Sequence, residues 1–325
     1  MTYAAAAESA CPARDVGTTD LTRAKGDRTV SVVIPALNER DTIAGVIGSI
    51  RDLVGGLVDE LVVVDSGSTD DTIARARAAG ASAVYTREQA LPGVPVRTGK
   101  GEVLWRSLAV TTGDIVVFID SDLHDPDPGF VPALVAPLLR DPGIQLVKGF
   151  YRRPLGDDPH GDTDGGGRVT QLVARPLLTA LAPEVADVRQ PLGGEYAATR
   201  ALLTEIPFAP GYGVEIGILL DTLHRYGRAA IGEVDLGVRI HRNRPTHELA
   251  VMSRQIIATL LARLDIADSG VGLTQFRPGA TGWRRVTTPV SAAERPPLAS
   301  LVTTNPAAGS AAGRVRGPAN ARSSR

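Results

Sequence analysis

Between Thr29 and Asp120 the chain repeats one pattern: a β-branched run, a stretch with helical spacing, then another run. "TVSVVIPAL" (29–37) and "DELVVVDSGS" (59–68) read as strands, and "ERDTIAGVIGSIRDLV" (39–54) between them places its apolar residues at helical intervals. "TDDTIARARAAG" (69–80) starts with capping-type residues and stops at Gly80, as a helix does. Short strands follow at "ASAVYT" (81–86) and "DIVVFID" (114–120), with the helix "GEVLWRSLAVTTG" (101–113) between them. This alternation predicts an α/β fold with a doubly wound, mostly parallel sheet flanked by helices. Such sheets bind ligands at the carboxyl ends of their strands. Those ends carry Pro35–Glu39, Asp65–Ser68 and Asp120–Asp122, so the three clusters should face one crevice.

Beyond residue 129 the alternation weakens. "GFVPALVAPLLRD" reads as a helix, "GIQLVKGFYRRPL" as a strand, "GDDPHGDTDGGG" (156–167) as a flexible loop, and "AAIGEVDLGVRIHRN" as a strand delivering polar groups at its end. "RVTQLVARPLLTALAPEV" and "HELAVMSRQIIATLLARLDI" have apolar helical faces. The expected organisation is a nucleotide-binding half over 29–128 and an acceptor-binding and catalytic half over 129–284, packed as one unit. Residues 1–28 and 285–325 lack periodicity and are expected to be largely disordered, with Arg295, Arg314, Arg316, Arg322 and Arg325 in a solvated tail.

Composition narrows the function. Thirty-five basic and 36 acidic side chains give a formal net charge of −1, so no global field draws the protein to nucleic acid or a membrane, and an anion site must be local. Cys11 is the single cysteine, which leaves no intrachain disulfide and no cysteine metal cluster. No stretch approaches the roughly 18–20 apolar residues of a spanning helix, and the first residues lack the pattern of a signal peptide. A cytoplasmic protein is expected.

The turn after the first strand, "PALNERDT", has none of the Gly-x-Gly-x-x-Gly spacing of a dinucleotide site. "GVPVRTGKGE" departs from a phosphate loop in its glycine spacing and in Gly101 following Lys100. The informative stretch is "VVFIDSDLHDPDP" (116–128). Asp120 and Asp122, two apart on extended backbone, present both carboxylates to one side. A hard divalent cation prefers such ligands and completes its shell with substrate phosphates and water.

"VSVVIPALNERDTI", "VVVDSGSTDDT", "GKGEVLWRSLA" and "VVFIDSDL" together resemble the nucleotide-sugar domain of GT-A glycosyltransferases, whose Asp-x-Asp motif presents a metal to the donor diphosphate. "LVKGFYRRPL", "GGGRVTQLVARPLL", "PLGGEYAATR", "PFAPGYGVEIGILLDT" and "LGVRIHRNRP" narrow the resemblance to the actinobacterial glucosyl-3-phosphoglycerate synthases of glycosyltransferase family 81, over residues of about 29 to 277. The resemblance implies a GT-A fold and a retaining transfer of glucose from UDP-glucose to the 2-hydroxyl of 3-phosphoglycerate, supported by Mg²⁺ or Mn²⁺. Pro35, Ala36, Leu37, Glu39 and Ser66 would hold uridine and its ribose, and Lys100 would face the donor. Asp122 and His241 would bind the metal, with Asp120 on the ribose or supporting the metal shell. The doubly anionic acceptor would meet Gly167, Arg168, Thr170 and Asn243, where a Gly-rich turn, a helix start and a guanidinium concentrate positive potential. Glu215 would orient hydroxyls of the transferred sugar. It is no obvious nucleophile, which favours front-face attack over a covalent intermediate. The resemblance also implies a homodimer and a product that enters glucosylglycerate or methylglucose lipopolysaccharide synthesis. The alternatives are a mannosyl-3-phosphoglycerate synthase using GDP-mannose, a sugar nucleotidyltransferase, whose Gly-rich first loop is missing here, and a non-catalytic sugar-nucleotide-binding scaffold.

Overall fold

The computed structural model describes residues 17–152, 167–239, 245–279, 282–291 and 293–304. In chain order the first elements are α1 (Thr18–Lys25), β1 (Val30–Ala36), α2 (Ile43–Arg51), β2 (Glu60–Asp65), α3 (Thr72–Ala78), β3 (Ala83–Thr86), α4 (Arg87–Ala90), α5 (Lys100–Ser107), β4 (Ile115–Phe118) and α6 (Phe130–Arg140). Then come β5 (Leu146–Arg152), α7 (Arg175–Leu181), β6 (Tyr196–Thr199), α8 (Arg200–Glu205), α9 (Val214–Tyr226), β7 (Ile231–Val238), α10 (Thr246–Arg263), β8 (Leu273–Gly279), β9 (Gly282–Thr288) and α11 (Leu298–Thr304).

Strands β1 to β7 form one sheet in the order β3-β2-β1-β4-β6-β5-β7. Both faces of β1 are buried, which explains its uninterrupted apolar sequence. Val30, Val32 and Ile34 pack with α2 and α6, while Val33 joins Val116, Phe118 and Tyr196 beneath α5 and α9. The sheet is mostly parallel, as expected, with one exception: β6 runs antiparallel to both β4 and β5. Two reversals restore the original direction, so β5 and β7 point the same way as β1, β2 and β4. The carboxyl ends of those five strands, and the residues entering β6, therefore share one edge of the sheet.

Two expectations of disorder are corrected. Within 1–28, residues 18–25 form α1, because Leu21 and Lys25 lie four apart on one helical face and are both buried. Lys25 Nζ reaches Asp59 Oδ2 at 2.7 Å and the carbonyls of Gly56 and Leu57 at 3.0 and 3.3 Å. Within 285–325, the residues up to 304 are built into the fold. Arg295, expected in solvent, is buried against Glu102, and Leu298 and Leu301 of α11 pack on the core. Low hydrophobicity concealed this docking because main-chain and guanidinium hydrogen bonds carry much of it. Cys11 and, of the loop expected over 156–167, residues 156–166 lie outside the described residues.

A chain ending at Ser291 loses the charge-assisted bonds of Arg295 and the packing of α11. Its melting temperature should fall by about 5 °C or more relative to the full-length chain. Differential scanning calorimetry of the two chains checks this.

Candidate active site

Parallel register places Ala36 beside Asp65 at the ends of β1 and β2, and Ser66 N donates to Ala36 O at 2.8 Å. The two loops that follow are laced together. Asn38, in a left-handed conformation with φ 56°, accepts from Thr69 N at 2.9 Å, and its own N–H donates to Ser68 Oγ at 2.9 Å. Asp65 Oδ2 accepts from the N–H groups of Gly67 and Ser68, which closes the second loop. Glu39 is drawn into this lacing, its N–H donating to Thr72 Oγ1 at 2.9 Å.

β4 lies on the other side of β1, so the sheet order reverses there and the loops diverge into a crevice. A cavity of about 740 Å³ occupies it. Pro35, Ala36, Leu37, Glu39, Ser66, Lys100, Asp120, Asp122, Gly167, Arg168, Thr170 and Glu215, the described members of the residue set expected from sequence, all line this one cavity. His241 and Asn243 lie outside the described residues.

At the floor, charges interlock. Lys100 Nζ lies 2.5 Å from Asp120 Oδ1 and 2.7 Å from Glu215 Oε1. Arg239 Nη2 lies 3.1 Å from Asp120 Oδ2, 2.9 Å from Asp122 Oδ1 and 3.2 Å from Glu195 Oε1, and Arg239 Nη1 donates to the Tyr151 hydroxyl at 2.8 Å. Burial alone would raise the pKa of Asp120. The neighbouring Lys100, and then Arg239, outweigh it and hold the carboxyl well below the usual carboxylate range. Burial likewise opposes the Lys100 ammonium, but the carboxylates of Asp120 and Glu215 keep its pKa well above the ordinary value.

Sequence reasoning missed Arg239, Glu195, Gly194 and Lys148. Arg239 follows directly on β7, and its signal was a cation at the end of an apolar strand, inside a block singled out for His241. Gly194 and Glu195 enter the antiparallel β6, which the expectation of a parallel sheet did not anticipate. A Cβ on Gly194 would lie 2.2 Å from Asp120 Oδ2, so glycine is required for the carboxylate to occupy its place. Lys148, on β5, is buried and donates to Gly193 O at 2.6 Å, with its ammonium 4.5 Å from the centre of the Tyr196 ring.

Asp120 and Asp122 face one position, since a single nitrogen of Arg239 reaches an oxygen of each. Oxygen donors converging in this way suit a hard divalent ion whose remaining ligands come from phosphate and water. Across the cavity, Gly167 (φ 73°) leads into a helix that carries a π-helical turn over Thr170–Ala174, a distortion that recurs at functional sites.

The family described as "Glycosyl transferase family 2" matches residues 31–164. The glucosyl-3-phosphoglycerate synthase of Mycolicibacterium smegmatis is 64% identical over 282 residues, 87% of this chain and 93% of that protein. The enzyme of the same name from Petrotoga mobilis is 43% identical over 244 residues, 74% of this chain and 75% of that protein. The chain belongs to the glucosyl-3-phosphoglycerate synthase family. The family's structures extend the match to three dimensions. The Mycobacterium tuberculosis enzyme in complex with Mn²⁺, UDP-glucose and phosphoglyceric acid superposes with a TM-score of 0.81 at 63% identity, covering 88% of this chain and 95% of that one. The same enzyme with Mg²⁺ and UDP gives a TM-score of 0.82 at 64% identity, with 88% and 96% covered. The fold is therefore of the GT-A type.

Lys148 offers a physical check on the charged floor. Burial pulls its pKa down to about 8, which Glu215 only partly offsets and Lys100 reinforces. Between pH 8 and the ordinary lysine value of 10.5 the unfolded chain binds the extra proton, so this group makes stability rise with pH in that window. Without metal, the stability of wild type relative to Lys148→Met should rise by a few kcal/mol from pH 8 to pH 10. Urea unfolding in the presence of EDTA measures it, and a flat difference would sink the assignment.

Proposed function

We propose that this chain transfers glucose from UDP-glucose to the 2-hydroxyl of 3-phosphoglycerate, with retention of anomeric configuration, to give glucosyl-3-phosphoglycerate. The observation that carries this is the single cavity: nucleotide-type loops, a carboxylate pair and the Gly167–Thr170 turn open into one space. Further support comes from the M. tuberculosis enzyme, whose complexes contain UDP-glucose, phosphoglyceric acid and Mn²⁺, or UDP and Mg²⁺.

In this mechanism Pro35, Ala36, Leu37, Glu39 and Ser66 receive the uridine end of the donor, and Lys100 holds the approach to its diphosphate. Asp122, with His241 and with Asp120 beside it, would hold Mg²⁺ or Mn²⁺, which supplies Lewis-acid stabilisation of the leaving diphosphate when bound. Arg168 grips the acceptor's phosphate or carboxylate, and Gly167, Thr170 and Asn243 add neutral hydrogen bonds. Lys100 sits 2.7 Å from Glu215 Oε1, and a carboxylate engaged by an ammonium is a poor nucleophile. Glu215 therefore orients the sugar, and the acceptor hydroxyl attacks from the face that the diphosphate leaves. The nucleotide-binding half over 29–128 and the acceptor half over 129–284 divide the two substrates between them.

Work as a homodimer in the cytoplasm, and a product destined for glucosylglycerate or methylglucose lipopolysaccharide synthesis, complete the proposal. Among the described residues no helix is long and apolar enough to cross a membrane. The β8–β9 hairpin exposes Phe276 and Trp283, apolar area of the kind a second copy would cover. Sedimentation equilibrium reads the oligomeric state.

Purified protein with UDP-glucose, 3-phosphoglycerate and Mg²⁺ should form the glucosylated product. GDP-mannose in place of UDP-glucose should give much slower transfer, and no product with either donor would leave the scaffold alternative. Asp122→Ala should abolish turnover with the fold intact, and chelation should do so reversibly; full activity in excess EDTA would overturn the metal assignment.

Arg168→Ala should raise the KM for 3-phosphoglycerate by about tenfold or more while leaving UDP-glucose affinity nearly unchanged. Arg168→Lys should recover only part of the loss, because a point charge lacks the guanidinium fork. Calorimetric titration with UDP-glucose beside acceptor kinetics separates the two. Weaker donor binding with an unchanged acceptor KM would move Arg168 to the donor side.

A further inference from the structure

The segment from Ala293 to Pro297 crosses over α5 as an extended strap, and Arg295 is its anchor. Arg295 Nε lies 2.6 Å from Glu102 Oε2, and its Nη2 lies 2.7 Å from Glu102 Oε1 and also donates to Pro95 O. The guanidinium sits 4.9 Å from the centre of the Trp105 ring, and Trp105 Nε1 donates to Pro296 O at 2.9 Å. Arg97 Nη1 reaches back to the carbonyls of Ala293 and Glu294 at 3.0 and 2.8 Å.

On its other side the strap is paired with a second segment. Arg295 and Phe208 exchange two main-chain hydrogen bonds, each 2.9 Å. The residues after Phe208 lie directly on the turn that begins α5. A Cβ on Gly101 would stand 2.0 Å from Ala209 O, and one on Gly99 would stand 2.9 Å from Gly211 Cα. Arg295 thus holds both partners of a backbone-to-backbone contact, one through Glu102 and Pro95 and the other through Phe208. That contact fixes Gly99 (φ 105°) and the next residue, Lys100, whose ammonium bridges Asp120 and Glu215 in the cavity.

We propose that Arg295 is a positioning residue for the donor subsite: through the strap it sets the Gly99 turn and so the place of Lys100. The consequence for substrates rests on the donor role proposed above for Lys100; the consequence for the turn itself does not. Arg106 also holds Glu102 and gathers carbonyls of this loop, from Arg87, Leu91, Val94 and Pro95, but, unlike Arg295, whose main chain pairs with Phe208, it has no hydrogen bond to the Phe208 segment among the described residues. Arg106 therefore keeps the loop folded, whereas Arg295 aligns it with the opposite wall. Arg168 and Thr170 border the cavity from another segment, so acceptor binding should not sense the strap.

The test uses full-length Arg295→Met and Arg295→Lys. For Arg295→Met the KM for UDP-glucose should rise about tenfold, UDP should bind correspondingly more weakly by calorimetry, and the KM for 3-phosphoglycerate should stay within about twofold. Amide hydrogen exchange across residues 97–101 should quicken. Arg295→Lys should restore part of both losses, since it keeps the buried charge without the fork. A lower melting temperature with both KM values and the exchange of 97–101 unchanged would overturn the proposal, as would equal rises in the two KM values. Should Arg295→Met fail to fold, Arg295→Lys carries the test, and wild-type donor KM and exchange in that variant would overturn it. If the wild-type protein transfers no glucose, the proposed function falls, while the exchange measurement still decides whether Arg295 sets the turn.

Discussion

A carboxylate that ends a buried strand has to be compensated, and Asp120 receives its compensation from two directions. Lys100 comes from the start of α5, after β3, and Arg239 comes from the end of β7, the last strand of the sheet. Removing either partner would leave charge stranded where water is scarce, a loss that typically costs about 3–5 kcal/mol. The cations are shared in turn with Glu215, Glu195 and Asp122, so the floor of the cavity is one electrostatic unit. It forms only when elements from both halves of the chain have reached the same edge. Chemistry and architecture are coupled through that requirement: the site cannot be assembled from the first half of the sequence alone.

Close backbone approach is the second constraint. Gly194 leaves room for the Asp120 carboxylate, and Gly101 lets α5 lie on Ala209 with no side chain between them. Each brings a charged group closer to its partner than a residue with a Cβ would allow. The cavity wall is therefore main chain in the places where position matters most. Side chains supply the charge there, and glycines set the distances.

Much of this was legible in the sequence because the signals are local. The β-branched runs became β1, β2 and β4, and the three clusters at their ends share a cavity because parallel register leaves them no other edge. Asp120, Asp122 and Lys100 stood out as charges beside apolar or glycine-rich sequence. What escaped was information held in pairs of distant residues. Arg295 looks like one arginine of a Pro- and Ala-rich tail until Glu102, 193 positions away, is placed opposite it. Lys25 likewise needs Asp59, and Arg239 needs the direction of β7, which depends on the reversal at β6. No window of sequence contains those partners, so periodicity and composition could not report them. His241 and Asn243 fall among residues that the structure does not describe.

The reversed strand has a further consequence, for synthesis rather than catalysis. β4 lies between β1 and β6, yet Tyr196 follows Phe118 only after a long intervening stretch. At ordinary rates of translation that interval lasts on the order of ten seconds. Through it the sequence "IVVF" presents an unpaired edge, with its hydrogen-bonding groups open and both faces apolar. Such an edge recruits strands from neighbouring chains. The late arrival of β6 thus leaves this edge of β4 open for longer in the nascent polypeptide than any edge between strands that follow one another closely in sequence, such as β1 and β2.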